Sequence, residues 1–386
     1  MAERKKEGID KISDDIFKEK NGGQPKAVSF LEKINSFILK LQRVPLKEKL
    51  FFVQNLSIML KAGVPLSSSL ITLAKQTDNK YFRLILKQIS KEVEQGISFA
   101  ASLKKQQKIF GELFIHMIEA GEVSGKLEEV LGQLHTQLKK QYELMSKVKG
   151  AMTYPAVIIL AMGGIGTFMM IYVVPKITAM FKELNAELPL PTKIIIGLSD
   201  FIAAHGILVG LTLIAIIALL IKILRTRKGK YIFEILLLNT PIIAPIIKKI
   251  NLAGFARTIS SLLKTDIMII KTFQITGSVL GNLHYREALL EMAEKIKKGG
   301  QINEVVSNYP KLFSPIVCQM IAVGEQTGEL DNILEELALF YESEVDQTMT
   351  NLPSIIEPIL ILILGISVGL IAVAIVMPMY SITQAI

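Results

Sequence analysis

A single cysteine, Cys318, stands in 386 residues, which excludes an intramolecular disulfide and the class of small secreted folds held by such bridges. The same scarcity excludes a cysteine-based zinc site, and the four histidines, at 116, 135, 205 and 284, are too scattered to point to another metal centre. Charge is sparse as well. Asp, Glu, Lys and Arg make up 20% of the chain, against roughly 25% in an average soluble domain, and 50% is hydrophobic. A mean hydropathy of +0.42 excludes a disordered chain. Residues 1–49 are polar and charged, with no apolar core of a secretory signal. What remains is a membrane protein with large water-soluble parts, long enough for two or three domains.

What is present is three apolar runs, each of about the 20 residues a bilayer core requires. They cover residues 155–174, 201–221 and 358–378; the first and third carry no charge, and the second is interrupted by His205 alone. A fourth run, residues 235–247, is short and holds Pro241 and Pro245, so it is expected to lie at the interface or pack against protein. Lys139, Lys140, Lys147 and Lys149 precede the first span, and Lys222, Arg225, Arg227, Lys228 and Lys230 follow the second. The 26-residue loop between them, 175–200, balances three bases against three acids. Basic flanks stay in the cytoplasm, which places that loop and the tail 379–386 outside and the N-terminus inside.

The second presence is a repeat. Gly121, Glu122, Gly125, Leu127 and Leu131 recur at Gly324, Glu325, Gly328, Leu330 and Leu334, an offset of 203 residues. The same offset carries Gly96 to Gly299, Phe110 to Phe313, Pro155 to Pro358 and Pro175 to Pro378. Register kept over such a distance without a gap marks a duplication of a cytosolic domain with its following span. Apolar residues recur at three- and four-residue steps, as at Phe82, Ile85, Leu86 and Ile89, and alternating strand patterns are scarce. The predicted fold class is therefore an all-α membrane protein: two duplicated cytosolic helical-bundle domains plus three transmembrane helices.

The expected divisions are an N-terminal extension (1–50), a first helical domain (51–153), a span (155–174), the external loop (175–200), a span (201–221), a cytosolic linker (222–250), a second helical domain (251–356), a span (358–378) and the tail. In the extension, about 25 residues have a disordered composition, after which Phe30, Leu31, Ile34, Phe37, Ile38 and Leu41 line one helical face. That face is expected to pack on the first bundle, the alternative being a basic amphipathic helix that meets the membrane or a partner.

The twin motif G-E-x-[ST]-G-x-L carries the most information. Glycines four apart allow a sharp turn or a close approach, and Ser124 or Thr327 is expected to cap the following helix. Two roles stay open for Glu122 and Glu325: holding backbone amides within a helix–helix turn, which is favoured, or presenting charge to a partner. The motif recurring between a helical bundle and a span resembles the type II secretion system F family. The resemblance runs from about Phe51 to Pro378 and includes the element Ala62-Gly63-Val64-Pro65-Leu66 and the prolines 241 and 245 ahead of copy two. Where the family often repeats that first element, copy two has Thr265-Asp266-Ile267-Met268.

The resemblance implies a non-enzymatic, homo-oligomeric platform of the cell's inner membrane. It would couple a cytosolic hexameric assembly ATPase to growth of filaments from pilin or pseudopilin subunits, alongside other inner-membrane assembly proteins, in type IV pilus biogenesis or type II protein secretion. It implies no cofactor and no nucleic acid. Its motif positions here are Gly63, Pro65, Gly121, Glu122, Gly125, Gly324, Glu325 and Gly328, with Pro155 and Pro358 leading into spans. The rivals are an oligomeric transporter, since repeats with spans mark many transporters, and an intramembrane protease, for which Asp200 alone makes no catalytic pair.

Several look-alikes fail on spacing. Gly121 and Gly125 enclose three residues and Leu127 follows Lys126, whereas a phosphate-binding loop needs four residues and a hydroxyl. Gly163, Gly164 and Gly166 lie within a span, so they and the pairs Gly206/Gly210 and Gly365/Gly369 are expected to allow close helix packing. Glu357 and His205 read as interfacial. Charge finally separates the copies. Residues 54–153 hold 14 bases and 9 acids, and the matched window 257–356 holds 8 bases and 13 acids, net +5 against −5. Opposite surfaces are expected to pair the copies, within a chain or between neighbours, the alternative being drift on solvated faces.

Overall fold

A computed structural model describes residues 44–183, 190–241 and 243–385, and among these there is no strand. The helices are α1 (Leu46–Lys61), α2 (Leu66–Gln76), α3 (Lys80–Glu94), α4 (Phe99–Lys104), α5 (Gln107–Phe110), α6 (Glu112–Ser124), α7 (Leu127–Phe168), α8 (Val174–Glu183), α9 (Leu190–Arg225), α10 (Arg227–Asn239), α11 (Ile243–Leu263), α12 (Ile269–Val279), α13 (Leu283–Lys297), α14 (Ile302–Ser307), α15 (Pro315–Thr327) and α16 (Leu330–Ala385). A π-helical turn, Met169–Val173, joins α7 to α8. The face at Phe30–Leu41 lies outside the described residues.

The chain forms two compact units, the first taking the chain up to Tyr142 with Gly254–Gly281 and Arg286–Leu337. Its core in copy one is aromatic. Phe52 meets Phe82 edge-on at 5.7 Å, and Phe110 lies 4.9 Å from Phe114. Copy two repeats the design, with Phe255 5.0 Å from Phe313, the offset partners of Phe52 and Phe110. Such pairs add about 0.5–1.5 kcal/mol each beyond their burial. Copy two also supplies Leu262 and Ile275 to the apolar cluster of copy one, so the duplicated bundles share a core.

The second unit takes Glu143–Ala253, Asn282–Tyr285 and the chain from Ala338 onward. Here Val345, Met349 and Leu352 pack with Leu144, Val148, Ile246 and Ile250, which joins α7, α11 and α16. The short fourth apolar run thus ends in a helix packed on protein. Lys147 pairs with Asp346 at 2.5 Å, the charge pairing of the copies realised at one place; both groups are about half exposed, so the pair contributes only ~0–1 kcal/mol. Lys249 pairs with Glu344 at 2.8 Å.

Among the described residues three helical stretches are long and apolar enough to cross a membrane: Leu127–Ala179, Thr192–Arg225 and Leu330–Leu370. The boundaries expected at 153/155 and 356/358 fall inside α7 and α16, because Pro155 is accommodated within α7 and Pro358 within α16. Spans tolerate such prolines when neighbouring groups satisfy the freed carbonyls. The region expected as a loop, 175–200, is helical over Val174–Glu183 and from Leu190, and the expected linker carries α10. Ser199 of α9 donates to the Met170 carbonyl in the π turn, and α9 itself breaks at His205, whose φ is −123° and ψ 23°. The seven span glycines singled out above have open space where a Cβ would stand, so the expected close packing is not made among the described residues.

Candidate functional site

The twin motif builds the same turn twice. α6 ends at Ser124, Gly125 takes the left-handed conformation at φ 71°, and α7 starts at Leu127. In copy two α15 ends at Thr327, Gly328 stands at φ 76°, and α16 starts at Leu330. An L side chain there meets Cβ strain, so the second glycine of each motif ends its helix. The first glycine has another task. A Cβ on Gly121 would stand 2.9 Å from the Val130 side chain, and one on Gly324 would stand 3.0 Å from the Leu330 Cα. These two let the helices on either side of the turn come together.

The glutamates reach back to a helix start. Glu122 accepts from the backbone N–H of Phe99 at 2.7 Å and of Ala100 at 2.9 Å, the first residues of α4. Glu325 accepts from Ile302 at 2.7 Å and Asn303 at 3.0 Å, the first residues of α14. The first amides of any helix lack intrahelical partners and carry the positive end of its dipole, so a carboxylate there is favoured twice over. Each carboxylate oxygen takes one amide, and the motif ties its turn to a helix that begins 23 residues upstream. The hydroxyls behave otherwise than expected. Ser124 donates to the Ala120 carbonyl at 2.8 Å, back into its own helix, and does not cap α7. Thr327 donates to Val323 at 2.9 Å and receives only a 3.4 Å contact from Glu329. Both sit on the last turn of a helix, where the nearest free acceptor is the carbonyl four residues back.

The element at Gly63 and Pro65 forms the turn between α1 and α2, with Gly63 at φ 78° and Pro65 immediately before α2. Copy two keeps this turn despite its different residues: Asp266 is left-handed at φ 57°, and Met268 takes the place of Pro65 ahead of α12. Pro155 is buried in α7, whereas Pro358 is exposed on α16.

Two segments, residues 52–175 and 255–378, match the family described as type II secretion system (T2SS), protein F, and they are separated by the same 203-residue offset. This chain belongs to the type II secretion system F family. It is 35% identical to the type IV pilus assembly protein PilC of Thermus thermophilus over 89% of this chain and 84% of that protein. It is 34% identical to the PilC of Myxococcus xanthus over 88% and 81%, and 29% identical to the type II secretion system protein F of Aeromonas hydrophila over 89% and 88%.

A second duplicated constellation of this F-family chain escapes a reading by motif alone. Asn79 caps α3, its side chain accepting from Phe82 N–H at 3.0 Å. Asn282, its offset partner, accepts from Tyr285 N–H at 3.3 Å. Arg83 donates through Nε and Nη2 to the Thr77 carbonyl at 3.0 and 2.8 Å, closing the end of α2. Arg286 donates to the carbonyls of Gly277 and Ser278, both at 3.1 Å, closing the end of α12. A guanidinium suits this position because the last helical carbonyls lack partners and carry partial negative charge. The signal was available: Asn-x-x-aromatic-Arg occurs at 79–83 and 282–286, in the register the twin motif defines. The constellations together fix where helices begin and end, a task of shape rather than of bond making.

Proposed function

We propose that this chain is a non-enzymatic platform in the inner membrane that couples a cytosolic hexameric assembly ATPase to assembly of pilin or pseudopilin filaments, for a type IV pilus or type II secretion. The observation that carries the reading is that each copy of the matched fold ends in a helix, α7 or α16, that runs on as a membrane-crossing stretch. Relatives named for pilus assembly and for type II secretion support it. The bundles face the cytoplasm in this reading, where an ATPase works, because the first span is preceded and the second followed by clustered bases. The N-terminus is then cytoplasmic and the C-terminus external.

Two measurements test it. Cells lacking the chain, with unchanged levels of ATPase and pilin-like subunits, are expected to lose surface filaments or secretion and to regain them with the intact gene; solute flux through liposomes holding the purified chain alone supports a transporter instead. In a Cys318→Ser background, Glu187→Cys is expected to be labelled from outside intact cells and Lys91→Cys to be protected. The reverse pattern overturns the orientation.

A further inference from the structure

Within the first unit the two copies meet through different faces. Copy one contributes α6 and the start of α7, and copy two contributes α11 and α12. α6 packs against α12, and Leu262 and Ile275 of copy two join the cluster that holds Leu113 and Ile115 of copy one. Gln137 of α7 donates to Thr258 Oγ1 at 3.4 Å and accepts from Ser261 Oγ at 3.1 Å. The contact is head-to-tail: copy one does not use the surface that copy two offers it. Such a contact between like units leaves one surface of each kind unused.

The 203-residue offset identifies the unused surfaces. Ile316 of α15 is the partner of Leu113, and Val323 is the partner of Ala120; Leu113 is 8% exposed, whereas Ile316 is 45% and Val323 44% exposed. On copy one, Ile58 and Met59 correspond to Ser261 and Leu262, and Thr72 to Ile275; Met59 is half-buried against copy one's own cluster, which leaves Ile58 as the open apolar equivalent of a contact residue. Ile58 is 57% exposed, and Ile71, beside Thr72, is 38% exposed. These apolar residues belong to the first unit, outside the apolar spans, so lipid does not account for them. The charge near them is complementary. Lys61 and Lys75 close α1 and α2, and exposed Glu329 and Glu336 flank the start of α16. This is the use the opposite balances of the two copies lack in the neutral contact around Gln137.

We propose that the α1–α2 face of one chain docks on the α15 face of a second copy of the same chain, repeating between chains the contact already made between copies. The occupant is a second copy because the duplication itself supplies the complement of each open face: Ile316 stands where Leu113 does and Ile58 where Ser261 does, with Val323 and Ile71 exposed on the same helices or the next. A contact of this kind propagates in one direction and closes into a ring when its rotation divides a full turn. It holds whether or not the chain serves a filament.

The test uses the full chain in its own membrane with Cys318→Ser as background. Two differently tagged chains are produced together, one carrying Ile71→Cys and the other Val323→Cys, and treated with a short bismaleimide. The expected product carries both tags, while chains bearing the same cysteine fail to link to each other. Ile316→Asp combined with Val323→Asp, at positions already exposed to water, is expected to abolish that product and to reduce the purified chain to the mass of a single copy. Like-with-like products indicate a two-fold contact and overturn the proposal, as does the absence of any product. Linkage of Ile71→Cys to Phe37→Cys placed in the same chain assigns the α1–α2 face to the N-terminal extension and also overturns it.

Discussion

Gly63 and Asp266 occupy the same place in the two copies and close their helices with the same pair of hydrogen bonds. Gly63 N–H donates to Leu60 and Val64 N–H to Met59, both at 2.9 Å; Asp266 N–H donates to Leu263 at 2.9 Å and Ile267 N–H to Leu262 at 3.2 Å. This is a left-handed helix stop, built once with glycine and once with aspartate. Aspartate is among the few other residues that enter this region, since its short side chain can bond locally.

Asp266→Gly is therefore expected to change stability little. Relief of left-handed strain, roughly 1–2 kcal/mol for a typical side chain and less for aspartate, is offset by the added freedom of glycine in the unfolded chain. Asp266→Val adds a β-branched side chain at φ 57° and is expected to lower the melting temperature of the purified full chain clearly. Equal melting of the Gly and Val variants would show that the turn does not constrain copy two.

The glutamate clamps give a graded series. Glu122→Gln keeps one acceptor for Phe99 or Ala100 and turns an amide group toward the other donor; Glu122→Ala removes both bonds. Bonds to a charged group contribute about 1.5–3 kcal/mol each, so stability is expected to fall from Glu to Gln to Ala. Glu325 is expected to show the same order. A thermal melt of the full chain in detergent measures it. Filament loss in Glu122→Gln with unchanged melting would instead favour a partner contact.

The two glycines of each motif are separable by substitution. Gly125→Asn is expected to be tolerated, because asparagine enters the left-handed region and a Cβ there meets open space. Gly121→Ala drives a methyl against Val130 and is expected to cost about 1–3 kcal/mol, the range for overpacking. Protein abundance in the membrane, with melting of the purified variants, checks the contrast. If Gly125→Asn is the more damaging of the two, the assignment is reversed.

Arg83 and Arg286 predict a test of fork geometry. Lysine at either position keeps the charge but has no planar pair of donors, so Arg286→Lys is expected to recover only part of the stability lost in Arg286→Ala. Full recovery by lysine would reduce the contribution to charge at a helix end.

The sequence by itself determined the spans, the duplication and the positions of the turns. Each follows from short-range physics: apolar length sets what crosses a bilayer, and glycine at 96, 121 and 125 with its echo 203 residues on marks where helices stop or touch. Local pattern did not reveal that α7 and α16 continue through Pro155 and Pro358, because a proline signals a break unless its surroundings make good the lost bond. Tertiary structure alone decided what Glu122 holds, since the amides of Phe99 and Ala100 arrive from another helix. It alone decided that Ser124 turns back to Ala120, that Asp266 takes the conformation of a glycine, and that the copies meet through Gln137, Thr258 and Ser261 as well as through the charge pair Lys147–Asp346. The reason is common to all four. A carboxylate, a hydroxyl or an amide has many acceptable partners in an isolated chain, and which one it takes depends on the groups that packing of distant segments brings within 3 Å or so.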